Sequence, residues 1–292
     1  RFCLLSNAVV VQVKQQIVDD VTEHLRKLLG NNVLSEDDLR SWLGKANCIS
    51  GLMHVWKPFL GMIWAAIYSP DARGNAPARC LWKSQVEIPL HWCSNFLKNE
   101  LDEMTRTYTI EAYMQLGTKV TVTTDASPWA IGGYLALDGV VEEFFFEKVR
   151  NEDLDVLKVP YGSHRAQQAF EALALIVALK LWCGHWKNQR VAMTVRSDSV
   201  SALTAMLKFK SSGEAPALIA REAALLIARS TYTPTVFEHI PGVASTIADR
   251  LSRLESLAND GNNIELSDIL EGARRCSCPP RPRTWWSALA HP

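Results

Sequence analysis

The run Val120-Thr121-Val122-Thr123-Thr124-Asp125-Ala126-Ser127, followed by Pro128-Trp129-Ala130-Ile131-Gly132-Gly133-Tyr134-Leu135, constrains the fold more than any other stretch. β-branched and apolar residues lead into one aspartate, a turn and a second apolar run. The pattern predicts a strand that delivers a single carboxylate to the end of a sheet, with a hairpin leaving it. Three more acids stand in suitable places. Glu171 lies in a helical run, Asp198 ends a second strand-like stretch that begins at Val191, and Asp249 sits in Ile247-Ala248-Asp249-Arg250-Leu251-Ser252-Arg253. Four carboxylates from four elements, without a nearby Cys or His ligand set, point to a hard cation such as Mg²⁺ and to phosphodiester chemistry.

At 292 residues the chain has room for about two domains. Hydrophobic residues make up 48% of it, enough for packed cores and too many for wholesale disorder. Lys plus Arg and Asp plus Glu both number 31, so net charge does not announce a nucleic-acid binder, and a local basic face stays open. The seven cysteines form no CxxC, and their odd number fits free thiols in a reducing, intracellular compartment. The longest apolar helical stretch, Ala169 to Trp182, is interrupted by Glu171 and Lys180 and is too short for a bilayer, so no membrane partner is expected. The opening Arg1-Phe2-Cys3 reads as part of something longer.

Asn7 to Val13 reads as a strand. Lys14 to Leu29 has helical spacing through Ile17, Val18, Val21, Leu25 and Leu28, ended by Gly30-Asn31-Asn32. Ser35 is expected to cap a second helix carrying Leu39, Trp42, Leu43 and Ala46. A third apolar run spans Ile49 to Ile67, where Pro58 predicts a kink or break. Residues 1–70 therefore read as a small, mainly helical region without an acid cluster. Residues 71–117 read as a linker rich in Pro, Gly, Arg and Asn, then a connecting helix over Leu90 to Met114.

From residue 118 the pattern changes. Strands are predicted at Lys119–Thr124, Ile131–Leu137 and Val140–Val149, with Asp138-Gly139 as a tight turn. A helix over Ser163–Trp186 carries Phe170, Leu173, Ala174, Val177 and Leu181 at core spacing, with Glu171 beside that stripe. A strand at Val191–Arg196, helices at Ser199–Leu207 and Ala217–Ala228, a strand at Thr235–Ile240 and a helix at Ser245–Leu254 complete the series. The fold class is α/β: a mixed five-stranded sheet with helices on both faces, able to gather the acids at one end. Residues 255–292 read as a partly flexible C-terminal extension.

Thr124-Asp125-Ala126-Ser127, Glu171 on a long helix, Ser197-Asp198-Ser199 and His239-Ile240-Pro241-Gly242…Ala248-Asp249-Arg250-Leu251-Ser252-Arg253 together resemble the ribonuclease H domain of retrotransposon reverse transcriptases. The last run is the most telling: the family pattern is PG-x-x-N-x-x-AD-x-LSR, and Ser245 stands here in place of the asparagine. Ala130 stands where many members have glycine. The resemblance covers about residues 118–254. Leu39 to Leu60 is similar, more weakly, to the thumb and connection region that follows a reverse transcriptase palm. The Asp-Asp pairs, Asp19-Asp20 and Asp37-Asp38, follow no aromatic residue, so polymerase activity is not expected of this chain.

The resemblance implies a ribonuclease H-like sheet and a metal-dependent endonuclease that hydrolyses the RNA strand of RNA–DNA hybrids, as the C-terminal part of a retroelement polyprotein that also carries the polymerase. It implies two Mg²⁺ ions, with Mn²⁺ as a substitute, held by Asp125, Glu171, Asp198 and Asp249 as catalytic set. Asp125 bridges both ions in this reading, Glu171 and Asp198 complete one, and Asp249 the other. Ser127, Ser199 and Ser201 are candidates for 2′-hydroxyl contacts, Lys187, Arg190 and Arg196 for phosphates, and His239 for a further substrate contact. None of the six residues between Gly242 and Asp249 is the mobile histidine of several cellular relatives, which implies a slow site. Taken singly, Asp125 and Asp198 serve equally as turn or cap residues, and Asp249 as a surface ion-pair partner. The alternative is a catalytically inactive ribonuclease H-like module that binds nucleic acid or supports a polymerase. A third reading is another nuclease or strand-transfer enzyme on the same fold.

Overall fold

The computed structural model describes residues 2–69, 74–98, 104–187, 191–209, 213–228, 236–241, 245–257, 270–290 and 292. The chain forms two compact units, Arg1–Ile110 with Ser287–Pro292, and Glu111–Trp286.

The first unit contains β1 (Phe2–Leu4), β2 (Ala8–Gln12), α1 (Gln15–Gly30), β3 (Val33–Ser35), α2 (Glu36–Ser50), α3 (Lys57–Tyr68), β4 (Cys80–Trp82), α4 (Glu87–Leu97) and β5 (Thr105–Thr109). The helices bury the faces their spacing requires: Val18, Val21, Leu25 and Leu28 on α1, and Leu39, Trp42, Leu43 and Ala46 on α2. Ser35 caps α2 by accepting from the Asp38 amide. Pro58 lies in the first turn of α3, where its missing N–H costs nothing, so it starts the helix rather than breaking it. The stretch read as a linker supplies β4, which pairs with β3, and α4, whose Trp92 and Phe96 pack with Trp56 and Phe59. The expected helix over Leu90–Met114 stops at Leu97. Thr105-Arg106-Thr107-Tyr108-Thr109 is instead β5, antiparallel to β2, as its β-branched alternation favours.

After the single-turn α5 (Ile110–Tyr113), the second unit runs β6 (Thr118–Ala126), β7 (Ala130–Leu137), β8 (Val140–Lys148), α6 (Asn151–Leu157), α7 (Gln167–Leu181), β9 (Val191–Ser197), α8 (Val200–Lys208), α9 (Glu214–Ala228), β10 (Val236–His239), α10 (Thr246–Leu257) and β11 (Arg274–Arg275). Its strands lie in the order β10-β9-β6-β7-β8-β11. β6, β7 and β8 are antiparallel neighbours, while β9 runs parallel to β6 and β10 parallel to β9. This is the expected mixed α/β sheet, with the two-residue β11 added at the β8 edge. Asp138 and Gly139, with φ of 47° and 92°, make the left-handed turn between β7 and β8.

Helices cover both faces of the sheet. Phe144 and Phe145, adjacent in β8, point to opposite sides. Phe144 packs with Leu251 and Leu254 of α10, whereas the Phe145 ring lies 5.6 Å from that of Trp182, at the end of α7. α7 is buried almost all round because it meets β6 and β7 as well as α8 and α9.

Residues 270–286, expected as a partly flexible extension, pack into this unit. Arg281 is fully buried; its Nε donates to Asp153 Oδ1 at 2.7 Å, and it also pairs with Glu147. Arg150 donates to the carbonyls of Cys278 and Pro279, and Lys180 to that of Trp285. Polar anchors of this kind carry no hydrophobic period, so pattern reading passes over them.

Candidate metal centre

β6 carries Asp125 to one end of the sheet, where it pairs in register with Gly132 of β7. A Cβ on Gly132 would lie 2.7 Å from Leu251 Cβ and 2.8 Å from Ser252 N. The bare glycine therefore lets α10 settle directly on the sheet beside Asp125. Ser252 Oγ lies 2.5 Å from Asp125 Oδ2 and 2.9 Å from the Asp249 carbonyl. Its single proton goes to the ionised carboxylate, the stronger acceptor. The Ser252 carbonyl accepts from Ser127 Oγ at 2.9 Å, a second tie between α10 and the end of β6.

Glu171 sits in the second turn of α7 and is 5% exposed. Gln167, one turn earlier, donates to Glu171 Oε1 at 2.8 Å and to the Ala126 carbonyl, so α7 is held to the same strand end. Glu171 Oε2 is buried without a hydrogen-bond partner. Asp198 follows β9, and the parallel register with β6 brings it level with Asp125. Oxygens of Asp125, Glu171 and Asp198 all lie within 4.8 Å of one another.

The electrostatics follow from that crowding. Burial, reinforced by the charges of Asp198 and Asp249 and opposed by the Ser252 hydrogen bond, raises Asp125 to about 6. Burial, then the charges of Asp125 and Asp198, raises Glu171 to about 9. Like charges at this separation, one with a buried unpaired oxygen, disfavour ionisation until a cation sits among them. The donors are all carboxylate oxygens, which suits a hard divalent cation. The residues therefore fit one.

The other expected site residues fall in varied places. Asp249 lies in the first turn of α10, outside the group of three, and its Oδ1 accepts from Arg253 Nε at 2.7 Å. Ser127 is buried, and its hydroxyl also accepts from the Trp129 and Ala130 amides; it staples the hairpin, with no proton free for a substrate. Ser199 caps α8 by accepting from the Ala202 amide and lies 3.1 Å from Ser201 Oγ. Arg196 pairs with Glu238, its register partner on β10, at 2.7 Å. His239 Nε2 lies 3.0 Å from the Asp198 carbonyl and so ties β10 to that acid's backbone. Lys187 is exposed. Arg190, Gly242 and the start of the last predicted strand at Thr235 lie outside the described residues.

Two residues at the centre were not singled out as site residues from sequence: Ser252 and Gln167. Ser252 was visible inside the Leu251-Ser252-Arg253 run, and Gln167 through its four-residue spacing from Glu171, which places the pair on one helix face.

No family model matches this chain, and no curated protein matches it. Among solved structures it is similar to ribonuclease H1 from the halophilic archaeon Halobacterium salinarum, at 19% identity and a TM-score of 0.36, over 48% of this chain and 98% of that one. It is also similar to the foamy viral protease-reverse transcriptase dRH in complex with double-stranded DNA, at 14% identity and a TM-score of 0.26, over 82% of this chain and 38% of that one. At these scores neither likeness carries an argument, and the fold stands on the strand order. No helix among the described residues is long and apolar enough to cross a membrane.

Proposed function

We propose that the second unit is a divalent-metal-dependent endonuclease of the ribonuclease H type, hydrolysing the RNA strand of RNA–DNA hybrids. The observation that carries this reading is the meeting of Asp125, Glu171 and Asp198, from three elements, within 4.8 Å at one sheet end. Asp249, whose charge is felt at Asp125, is the fourth acid of the set. Mg²⁺, or Mn²⁺ in its place, would be held by these carboxylates. When bound, the metal polarises the phosphate and lowers the pKa of its water. The protein's part is to hold the acids together, half out of water, in an ordered frame. Ser199, Ser201, Arg196 and Lys187 supply hydroxyls and cations for the 2′-hydroxyls and phosphates of the hybrid. Ser127 and His239 act through the backbone around Asp125 and Asp198.

In the wider reading, residues 118–254 are the ribonuclease H-like domain of an intracellular retroelement reverse transcriptase. The first unit, rather than residues 1–70 alone, corresponds to thumb and connection, and the polymerase palm lies elsewhere in the polyprotein.

The test is cleavage of an end-labelled RNA–DNA hybrid with Mg²⁺, beside Asp125→Asn. Internal cuts in the hybrid RNA by the unaltered protein alone are expected. Absence of cleavage with Mg²⁺ and with Mn²⁺ by folded protein would establish the inactive binding module instead. Equal cleavage of duplex DNA would point to another nuclease on this fold.

A further inference from the structure

Two hydrogen bonds at the metal centre come from residues outside the acidic set. Ser252, fully buried, reaches Asp125 Oδ2, and Gln167 reaches Glu171 Oε1. In each acid one oxygen is engaged by a neutral side-chain donor. For Glu171 the remaining oxygen, Oε2, is buried and unpaired. Each donor also fastens its helix to the end of β6. Ser252 does so through its carbonyl and Ser127, and Gln167 through the Ala126 carbonyl. A serine inside a helix ordinarily turns its hydroxyl to a carbonyl three or four residues back. Here the carboxylate lies nearer than the Asp249 carbonyl.

We propose that Ser252 and Gln167 are positioning residues of the metal centre, each fixing one oxygen of a buried carboxylate so that the other faces the cation. The proposal rests on the metal-centre reading above. Without these donors each carboxylate rotates among several orientations, and the cation must select one. Partners behind the ligands of metal sites typically change affinity by roughly 10–100-fold when removed.

The experiment is a titration of the full chain with Mg²⁺ alone, and with Mn²⁺ alone, read by thermal unfolding without nucleic acid. Wild type, Ser252→Ala and Gln167→Leu are compared, with circular dichroism as the check on folding. Ser252→Cys, close in volume and a poor donor, replaces Ser252→Ala if that variant does not fold. The expected result is that each variant needs roughly 10–100-fold more metal for half-maximal stabilisation, and that the metal dependence of hybrid cleavage moves in parallel. Variants with a lowered metal-free melting temperature but the wild-type half-saturating concentration would reduce both residues to structural roles and overturn the proposal. A wild-type protein that neither metal stabilises would overturn the metal centre itself and this inference with it. The two failures are thus told apart by the wild-type curve.

Discussion

Glu171 and Asp125 make the metal-free protein sensitive to pH in a direction that follows from their burial. Glu171 is raised from 4.5 to about 9, and Asp125 from 3.8 to about 6. Below the ordinary carboxylate range both acids are protonated whether the chain is folded or not, and they cost nothing. Between the unfolded and folded values the native state binds more protons than the unfolded one, so stability falls as pH rises. In a chelator, the urea midpoint is expected to decline from about pH 4.5 to about pH 9, and Glu171→Gln to flatten most of that decline. Mg²⁺ opposes the same decline, because it favours the ionised acids. Asp125→Asn removes one of the crowded charges. That variant is expected to be more stable than wild type in chelator at pH 8, yet to lose the stabilisation by Mg²⁺. A variant less stable than wild type under both conditions would mean that the charge is already compensated. At this scale the acids were legible, because strand ends and the helical run displayed them. The sequence marked the positions of Ser252 and Gln167 but not their hydrogen bonds, since a serine or glutamine on a helix looks the same with or without a carboxylate above it.

At the scale of elements, the placement of α10 depends on a glycine. Gly132 has no space for a Cβ, with backbone atoms of Leu251 and Ser252 2.8 Å from where it would stand. Gly132→Ala is expected to cost about 1–3 kcal/mol in urea unfolding, as overpacking does, and to weaken the response to Mg²⁺ by displacing Ser252. Gly139 offers a contrast. Open space surrounds its Cβ position, but its φ is 92°. Gly139→Ala should lose about 1 kcal/mol through backbone strain alone and keep the wild-type Mg²⁺ titration. Equal effects of the two variants on metal binding would rule out the packing argument. The order of strands and helices in the second unit was readable from periodicity except for the short α6, which lies in the stretch Asn151 to Gly162 expected as a polar connector, and the two-residue β11. Asp125 was expected at the end of its strand and lies there, but the strand expected over Lys119–Thr124 runs two residues further, because the ladder to β7 continues through Ala126 and Ile131.

For the molecule as a whole, the segment near the C-terminus completes the second unit through buried charge. Arg281 and Asp153 are both fully buried. Arg281→Ala leaves Asp153 unpaired in the interior, and a loss of about 3–5 kcal/mol is expected in chemical unfolding. A change within 0.5 kcal/mol, the range of ordinary surface substitutions, would mean that the pair is solvated in solution. From the sequence alone came the fold class, the order of the longer elements in the second unit and the acids suited to a cation, because local periodicity and residue chemistry are properties of short stretches. Tertiary structure alone decided which oxygens meet, with Asp125, Glu171 and Asp198 together and Asp249 outside their group. It also decided that Trp92 and Phe96 belong to the first core, and that Arg281 anchors the end of the chain. Those outcomes depend on strand register, on a missing Cβ at Gly132 and on ion pairs between residues far apart in sequence, none of which has a local signature.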